Sequence, residues 1–179
     1  MQAITKDALV QALTRLGELA NAQGTKLEVC LYGGAVMMLA YDTRDITKDV
    51  DAVIQPSDIG FKLARQVGEE LGLPDRWIND DVRVYLAPTG QVRELPWDGP
   101  GITLTAPTAG YLLAMKALAC RQALPGYGGD LDDLRFLISK LEITSVDEVQ
   151  AHIDKYYPDD VISAEHAAVL RELIEEVQS

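Results

Sequence analysis

A glycine pair followed by a pair of aspartates constrains this chain more than any other part of its sequence. The residues before Gly33 and Gly34 alternate in polarity and are rich in strand formers, so they predict a strand that ends at the pair. A short apolar helix and a polar loop up to Lys48 should follow. A second strand is then predicted, with Asp49 and Asp51 at its start. This order would place a glycine turn and two carboxylates on neighbouring strands.

The two aspartates predict a site for a divalent cation. Residues two apart on a strand point to the same face, so the carboxylates of Asp49 and Asp51 should share one space. Two carboxylates so close stay ionised together only beside a cation. Mg²⁺ suits oxygen ligands of this kind and binds substrate phosphates as well. The alternative is a strand edge on which both aspartates are simply hydrated.

The glycine pair predicts a seat for phosphate. Glycine permits a positive φ and a close approach of the backbone to a ligand. The N–H groups at the start of the following helix point outward, where they can meet an anion. The alternative is a tight turn that only lets the helix pack. Together with the aspartates, Gly33 and Gly34 would bring a phosphate seat next to metal ligands.

The stretch LYGGAVMMLAYDTRDITKDVDAVI, which carries both pairs, resembles the nucleotidyltransferase superfamily that includes DNA polymerase beta. Within it, Arg44, Thr47 and Asp49 look like the Arg-x-x-Thr-x-Asp form of AbiEii-type and related minimal nucleotidyltransferases. The resemblance implies an enzyme that moves a nucleotide from an NTP to an acceptor. It also implies Mg²⁺ on the two aspartates and nucleotide contacts from the glycine pair, Arg44 and Thr47.

The resemblance continues downstream to Leu137 in two helices of a bacterial group in this superfamily. TAPTAGYLLAMKALACR looks like its Pro-x-x-x-Leu-Leu-x-Met-Lys helix, and GGDLDDLRFL like its Asp-x-x-Asp-Leu helix start. This implies that Lys116, and more weakly Arg121, contacts nucleotide phosphates, with Lys116 neutralising charge as pyrophosphate leaves. It also implies that Asp133 is a base or holds Lys116 in position, with Asp130 as the helix cap.

The residues alone leave other roles open for these side chains. Lys116 lies on an apolar stripe, from which its ammonium group either extends to water or meets a buried anion. Two acids at the start of a helix are commonly a cap and a dipole partner.

The segment LPDRWINDDV resembles a Trp-hydrophobic-Asn-Asp segment of the same group. Its Trp77, Asn79 and Asp80 are candidates for a base or acceptor pocket. The alternative for Trp77 is packing over the core.

One departure from the superfamily concerns a third carboxylate, which many active members supply from a later strand. The later strands predicted here, Val82–Leu86 and Ile102–Thr105, contain no acid. Asp81 and Glu94 are the nearest substitutes. Either the third ligand is missing, as in several minimal members, or catalysis is weak or lost.

Composition favours a cytoplasmic protein. No apolar run approaches the roughly 20 residues of a membrane span, and the N-terminus lacks a secretory pattern. Cys30 and Cys120 lie in apolar runs and are expected to be buried thiols in a reducing compartment. His152 and His166 are expected at the surface. The net charge of −12 works against loose adhesion to nucleic acid.

The order of predicted elements indicates an α+β protein. We expect a nucleotidyltransferase-like mixed sheet flanked by helices in residues 1–106, and a helical C-terminal region packed on it in residues 107–179. One C-terminal helix should cover 108–123, and Ser145-x-x-Glu148 is the pattern of a capping box that opens another.

Several acceptors and partners are compatible with the implied activity. The acceptor is expected to be RNA, such as tRNA, or a protein hydroxyl, and the protein could be the toxin of a toxin–antitoxin or phage-defence pair with a cognate antitoxin. One alternative is a small-molecule nucleotidyltransferase similar to aminoglycoside-modifying enzymes. Another is a catalytically degenerate member that acts as a binding module.

Overall fold

The computed structural model describes residues 3–119 and 129–179. It divides into two compact units, of which the first comprises Met1–Val84 and Val92–Ala106 and the second comprises Tyr85–Gln91 and Pro107–Ser179. No helix in the described stretches combines the length and apolar character that a membrane crossing requires.

The first unit mixes helices and strands. Its helices are α1 (Lys6–Ala22), α2 (Gly33–Leu39) and α3 (Ser57–Leu71). Its strands are β1 (Ile4–Thr5), β2 (Leu27–Leu31), β3 (Ile46–Thr47), β4 (Val50–Gln55), β5 (Ile78–Asn79), β6 (Val92–Glu94) and β7 (Ile102–Pro107). A 3₁₀ helix, Asp81–Tyr85, follows β5.

Most of these strands form one mixed sheet, in the order β5-β4-β2-β7-β6. The central strand β2 is antiparallel to β4 and parallel to β7, and β4 is parallel to β5. β1 and β3 form a separate antiparallel pair. The mixed sheet with its helices confirms the predicted α+β class.

One face of the sheet is buried and the other is partly open. Along β4, Val50, Ala52 and Ile54 are buried, whereas Asp51 between them is half-buried. α3 covers the buried face, where Gly60 lies so near Ile54 that a Cβ atom would clash with it. α1 packs against α3. Because side chains alternate along a strand, Asp51 points away from the helix-covered face.

The second unit contains α4 (Ala109–Ala119), α5 (Gly129–Lys140), α6 (Val146–Tyr156) and α7 (Ala164–Gln178). α4 contacts the other three. The capping pattern at α6 is confirmed, because the Ser145 hydroxyl accepts a hydrogen bond from the Glu148 N–H at 3.3 Å. The predicted helical C-terminal half is also confirmed.

Three local predictions need correction or fall outside the structure. Val82–Leu86 is not a strand, since Asp81–Tyr85 forms a 3₁₀ helix. The polar residues just before this segment favour a turn, because the Asn79 side chain accepts a hydrogen bond from the Asp81 N–H. Asp130 lies within the first turn of α5 rather than at its cap. The predicted 108–123 helix is described to Ala119, and Cys120 and Arg121 lie outside the described residues.

Candidate active site at the glycine turn

Gly33 begins α2 directly after β2 and lies against Asp51. Its φ of +58° belongs to the left-handed region that favours glycine. A Cβ atom at this position would be 3.0 Å from Asp51 Oδ2. The Tyr32 N–H donates a hydrogen bond to the Asp51 backbone oxygen at 2.8 Å, which ties the end of β2 to the start of β4. Glycine is therefore required here both for the backbone conformation and for the approach of the carboxylate.

Gly34 faces Arg44 and Thr47. A Cβ atom at Gly34 would be 2.7 Å from Thr47 Oγ1 and 2.9 Å from Arg44 Nη1. Thr47 is buried, and its hydroxyl donates to the Asp49 backbone oxygen at 2.9 Å. Two of the residues that the sequence predicts for nucleotide contact, Arg44 and Thr47, thus lie beside the glycine turn, and a side chain at Gly34 would collide with both.

Asp49 and Asp51 lie on either side of the first residue of β4, Val50, so of the two only Asp51 belongs to the strand. Asp49 is exposed and lies one residue before the strand, whereas Asp51 is half-buried within it. The parallel partner strand β5 places Asn79 level with Asp51. Asn79 is 5% exposed, and its Nδ2 donates to Asp49 Oδ2 at 3.4 Å. The two aspartates are therefore accompanied by a buried amide.

In the described part of the chain, no third carboxylate of the kind expected from the sequence resemblance accompanies Asp49 and Asp51. There, no group of three or more His, Cys, Asp or Glu is arranged to hold a metal ion. Asp81 pairs instead with Arg76, at 2.7 Å. Glu94 lies on β6, which β2 and β7 separate from β4 in the sheet. Neither substitute considered from the sequence stands beside Asp51.

Lys116 and Asp133 belong to the second unit, where they form a buried ion pair. Lys116 Nζ is 2.6 Å from Asp133 Oδ2 and 3.5 Å from Asp130 Oδ1. The Lys116 side chain is 10% exposed and that of Asp133 is 2% exposed. The ammonium group therefore does not extend to water, and α4 is bound to α5 through this contact.

Trp77 lies in the core of the first unit. Its side chain is 2% exposed, and its indole N–H donates to the Ala64 backbone oxygen of α3 at 2.8 Å. Gly68 makes room for the ring, since a Cβ atom there would be 3.0 Å from Trp77 Cδ1. Of its two predicted roles, Trp77 performs the packing one.

Comparison with known proteins leaves the family of this chain open. No family model matches it, and no curated protein sequence matches it. A solved structure is similar, that of an antigenic nucleotidyltransferase-like protein from Paracoccidioides brasiliensis. It is 14% identical, the match covers 95% of each chain, and the TM-score is 0.49.

Sequence reasoning identified Asn79 only as part of a polar cluster, not as the neighbour of the aspartates. The register of β5 against β4 creates that neighbourhood, and a two-residue strand gives almost no pattern in the sequence. The available signal was local, because an Asn followed by two Asp residues is typical of a side chain that hydrogen-bonds the backbone just after a strand.

Proposed function

We propose that this chain is a Mg²⁺-dependent nucleotidyltransferase that moves a nucleotide from an NTP to an acceptor. The approach of Gly33 to Asp51 carries the proposal. At this point a backbone turn without side chains lies against a carboxylate, and a guanidinium group, that of Arg44, lies beside the next glycine. Such a site can take a phosphate chain and its metal ion at once.

The donor set of the site fits a hard cation. Asp49 and Asp51 offer carboxylate oxygens, and Mg²⁺ binds through one or two carboxylates together with waters and substrate phosphates. The missing Cβ at Gly33 leaves room at Asp51 Oδ2. When bound, Mg²⁺ would supply charge neutralisation at the phosphates. The chain's own contribution is to hold the Asp51 carboxylate on β4, and that of Asp49 just before this strand, near the glycine turn.

The phosphate contacts would come from the backbone and from Arg44. The first N–H groups of a helix have no acceptor within the helix, so those of α2 can face an anion. α2 has seven residues, and a helix so short contributes a small dipole. Arg44 is therefore the main positive charge in this proposal, and a planar guanidinium group can bind phosphate with two hydrogen bonds.

In the proposed reaction the acceptor oxygen forms a bond to the α-phosphorus of the NTP. The bond from that phosphorus to the β-phosphate oxygen breaks, pyrophosphate leaves, and the acceptor proton passes to a base. Lys116 was expected to neutralise the leaving pyrophosphate, and Asp133 to act as a base or to hold Lys116. The 2.6 Å ion pair between them supports the holding role for Asp133.

For the acceptor we propose RNA, such as tRNA, or a protein hydroxyl, following the resemblance to AbiEii-type enzymes. The protein would then act in the cytoplasm as the toxin of a toxin–antitoxin or phage-defence pair, with a cognate antitoxin. The net charge of −12 favours a second candidate, in which the acceptor is a cationic small molecule of the aminoglycoside kind.

Transfer of label from an α-labelled NTP, in the presence of Mg²⁺, tests the activity. The acceptors are total RNA, total protein and a panel of aminoglycosides, each in a separate reaction. We expect label in one acceptor class with the wild type and at least about a hundredfold less with Asp51→Asn. The reason is that a metal ion bound to a phosphoryl oxygen stabilises the charge of the transition state by several kcal/mol. Asp58→Asn, which changes an exposed carboxylate in the first turn of α3, is the matched control and should transfer normally.

The outcomes separate the candidates. Label in RNA or protein supports the toxin-like activity, and label in an aminoglycoside supports the small-molecule activity. Equal transfer by Asp51→Asn and the wild type would contradict the proposed site. If no acceptor is labelled but NTP with Mg²⁺ raises the melting temperature, the protein is a nucleotide-binding module without transferase activity.

A further inference from the structure

Asn79 occupies the place on β5 that lies level with Asp51 on β4. Ile78 pairs with Val50 and Asn79 pairs with Asp51 in parallel register. Ile78 and Val50 are both buried on the helix-covered side of the sheet. Since side chains alternate along a strand, Asn79 shares the other face with Asp51. A residue at position 79 therefore stands beside the candidate metal ligands.

The two ends of the Asn79 amide have different partners. Its Oδ1 accepts a hydrogen bond from the Asp81 N–H at 3.0 Å, and its Nδ2 donates to Asp49 Oδ2 at 3.4 Å. A backbone N–H can only donate, so the amide oxygen must face Asp81. The NH₂ group must then face the carboxylate of Asp49. Asn79 itself is 5% exposed, whereas its partner Asp49 is exposed.

We propose that Asn79 is a positioning residue that orients the Asp49 carboxylate for a divalent cation. The identity of that cation site rests on the proposed function. Asn79 holds one oxygen of Asp49 through a neutral N–H donor, which leaves the other oxygen to the ion. The site then carries two negative charges from Asp49 and Asp51, where a third carboxylate at position 79 would give it three.

A purely structural role would need only half of the observed contacts. If Asn79 served only to start the turn at Asp81, its oxygen would matter and its NH₂ group would not. Asn79→Asp keeps an acceptor for the Asp81 N–H but replaces the donor toward Asp49 with a carboxylate oxygen. Asn79→Ala removes both. Asn79→Ala therefore tests the amide as a whole, whereas Asn79→Asp keeps the acceptor for the turn and tests whether position 79 lies beside the ion.

Direct binding of Mn²⁺ to the full chain, followed by electron paramagnetic resonance of the free ion, measures the effect. Asn79→Ala should raise the Kd by about tenfold or more, as is usual when a hydrogen bond to a metal ligand is removed. Asn79→Asp should lower the Kd by about tenfold, because added ligand charge tightens divalent-ion sites. Without metal, Asn79→Asp should also melt at a lower temperature than the wild type, since two carboxylates then repel each other.

The matched control is Gln66→Glu. Gln66 Nε2 donates to Glu70 Oε1 at 2.8 Å on the exposed side of α3, so this variant makes the same chemical change outside the candidate site. Its Kd for Mn²⁺ should equal that of the wild type. Thermal unfolding of each variant shows that it is folded, and Asn79→Asp remains informative if Asn79→Ala does not fold.

Three results would overturn the inference in distinguishable ways. Absence of Mn²⁺ binding to the wild type would overturn both this inference and the proposed metal site. Wild-type binding with an unchanged Kd in Asn79→Ala would overturn the role of Asn79 and leave the metal site in place. A Kd for Asn79→Asp that equals that of the wild type would show that position 79 acts neither on the ion nor on its ligand Asp49.

Discussion

Gly33 lies so close to Asp51 that a Cβ atom at the glycine would be 3.0 Å from the carboxylate oxygen Oδ2. This contact joins the end of β2 to the start of β4. It makes position 33 sensitive in two separable ways, through its left-handed backbone and through the space in front of the carboxylate.

Gly33→Ala should therefore lose stability and nucleotide binding together. Its φ of +58° is matched by the φ of +63° at Gly72, where a Cβ atom would meet nothing within 4 Å. Each alanine should cost about 1 kcal/mol of unfolding free energy, because L residues avoid this conformation. Only Gly33→Ala should abolish the melting-temperature increase with NTP and Mg²⁺. Equal ligand-induced increases in the two variants would contradict the assignment of Gly33.

Replacing Lys116 should destabilise the second unit strongly. Lys116→Met removes the cation 2.6 Å from a carboxylate that is 2% exposed, and breaking a buried pair from one side costs about 3–5 kcal/mol. Arg135→Gln is the comparison, because Arg135 contacts Asp132 at 2.8 Å and Glu176 at 2.7 Å in exposed pairs that are each worth about 1 kcal/mol or less. Urea unfolding measures both. A loss for Lys116→Met no larger than that for Arg135→Gln would show that the pair is not structural.

Adding Asp133→Leu to Lys116→Met should recover much of the lost stability. The double variant removes both buried charges, and well-packed apolar residues commonly replace such a pair without loss. Nucleotide transfer by the double variant then isolates any direct role of Lys116. Normal transfer would assign Lys116 to structure alone, whereas transfer below about one tenth of the wild-type rate would favour the phosphate contact that the resemblance implies.

Acid should destabilise the protein through His152. The sequence predicted His152 at the surface, but the residue is half-buried and lies against α4. A Cβ atom at Gly110 would be 2.9 Å from its Nδ1. Burial lowers the pKa of His152 below its usual value, Lys155 lowers it further, and Glu148 opposes them. As the pH falls below about 6.5, the unfolded chain takes up a proton that the folded protein resists. The free energy of unfolding that the neutral His152 contributes above about pH 6.5 is therefore lost as the pH falls from that value to the lower pKa of the folded protein.

His152→Gln should flatten this part of the pH dependence. The melting temperature of the wild type should fall more than that of the variant between pH 7.5 and pH 5. An NMR titration of the imidazole provides the direct check. A pKa for His152 above that of a histidine in the urea-unfolded chain would reverse the sign of the effect and contradict the prediction.

Cys30 should react slowly with alkylating reagents. Burial raises the pKa of its thiol, although hydrogen bonds with Thr105 and Tyr32 partly oppose this. Since the thiolate is the reactive form, iodoacetamide at pH 7.5 should modify Cys30 more slowly in the folded protein than in urea. A Cys120→Ser background restricts the measurement to one thiol. Cys30 is half-buried, less than the sequence predicts, and equal rates in the two conditions would contradict even this partial burial.

The sequence predicted the parts of the site that lie close together along the chain. Gly33, Gly34, Arg44 and Thr47 could be placed near one another because a strand, a turn and a loop leave little freedom over so short a distance. Asn79 could not, because its position depends on the pairing of β5 with β4. Val82–Leu86 was wrong for a related reason, since its strand-forming side chains were outweighed by the turn that Asn79 and Asp81 form.

The central place of β2 has a consequence for truncated forms of the protein. β2 leads into the glycine turn, yet one of its edges is paired only with β7, through partners such as Cys30 and Thr105. A fragment that ends at Val84 contains both glycines and both aspartates but leaves that edge of β2 open. Open, apolar strand edges recruit other chains. Such a fragment should aggregate, so that the shortest piece able to display the glycine turn must continue through residue 106.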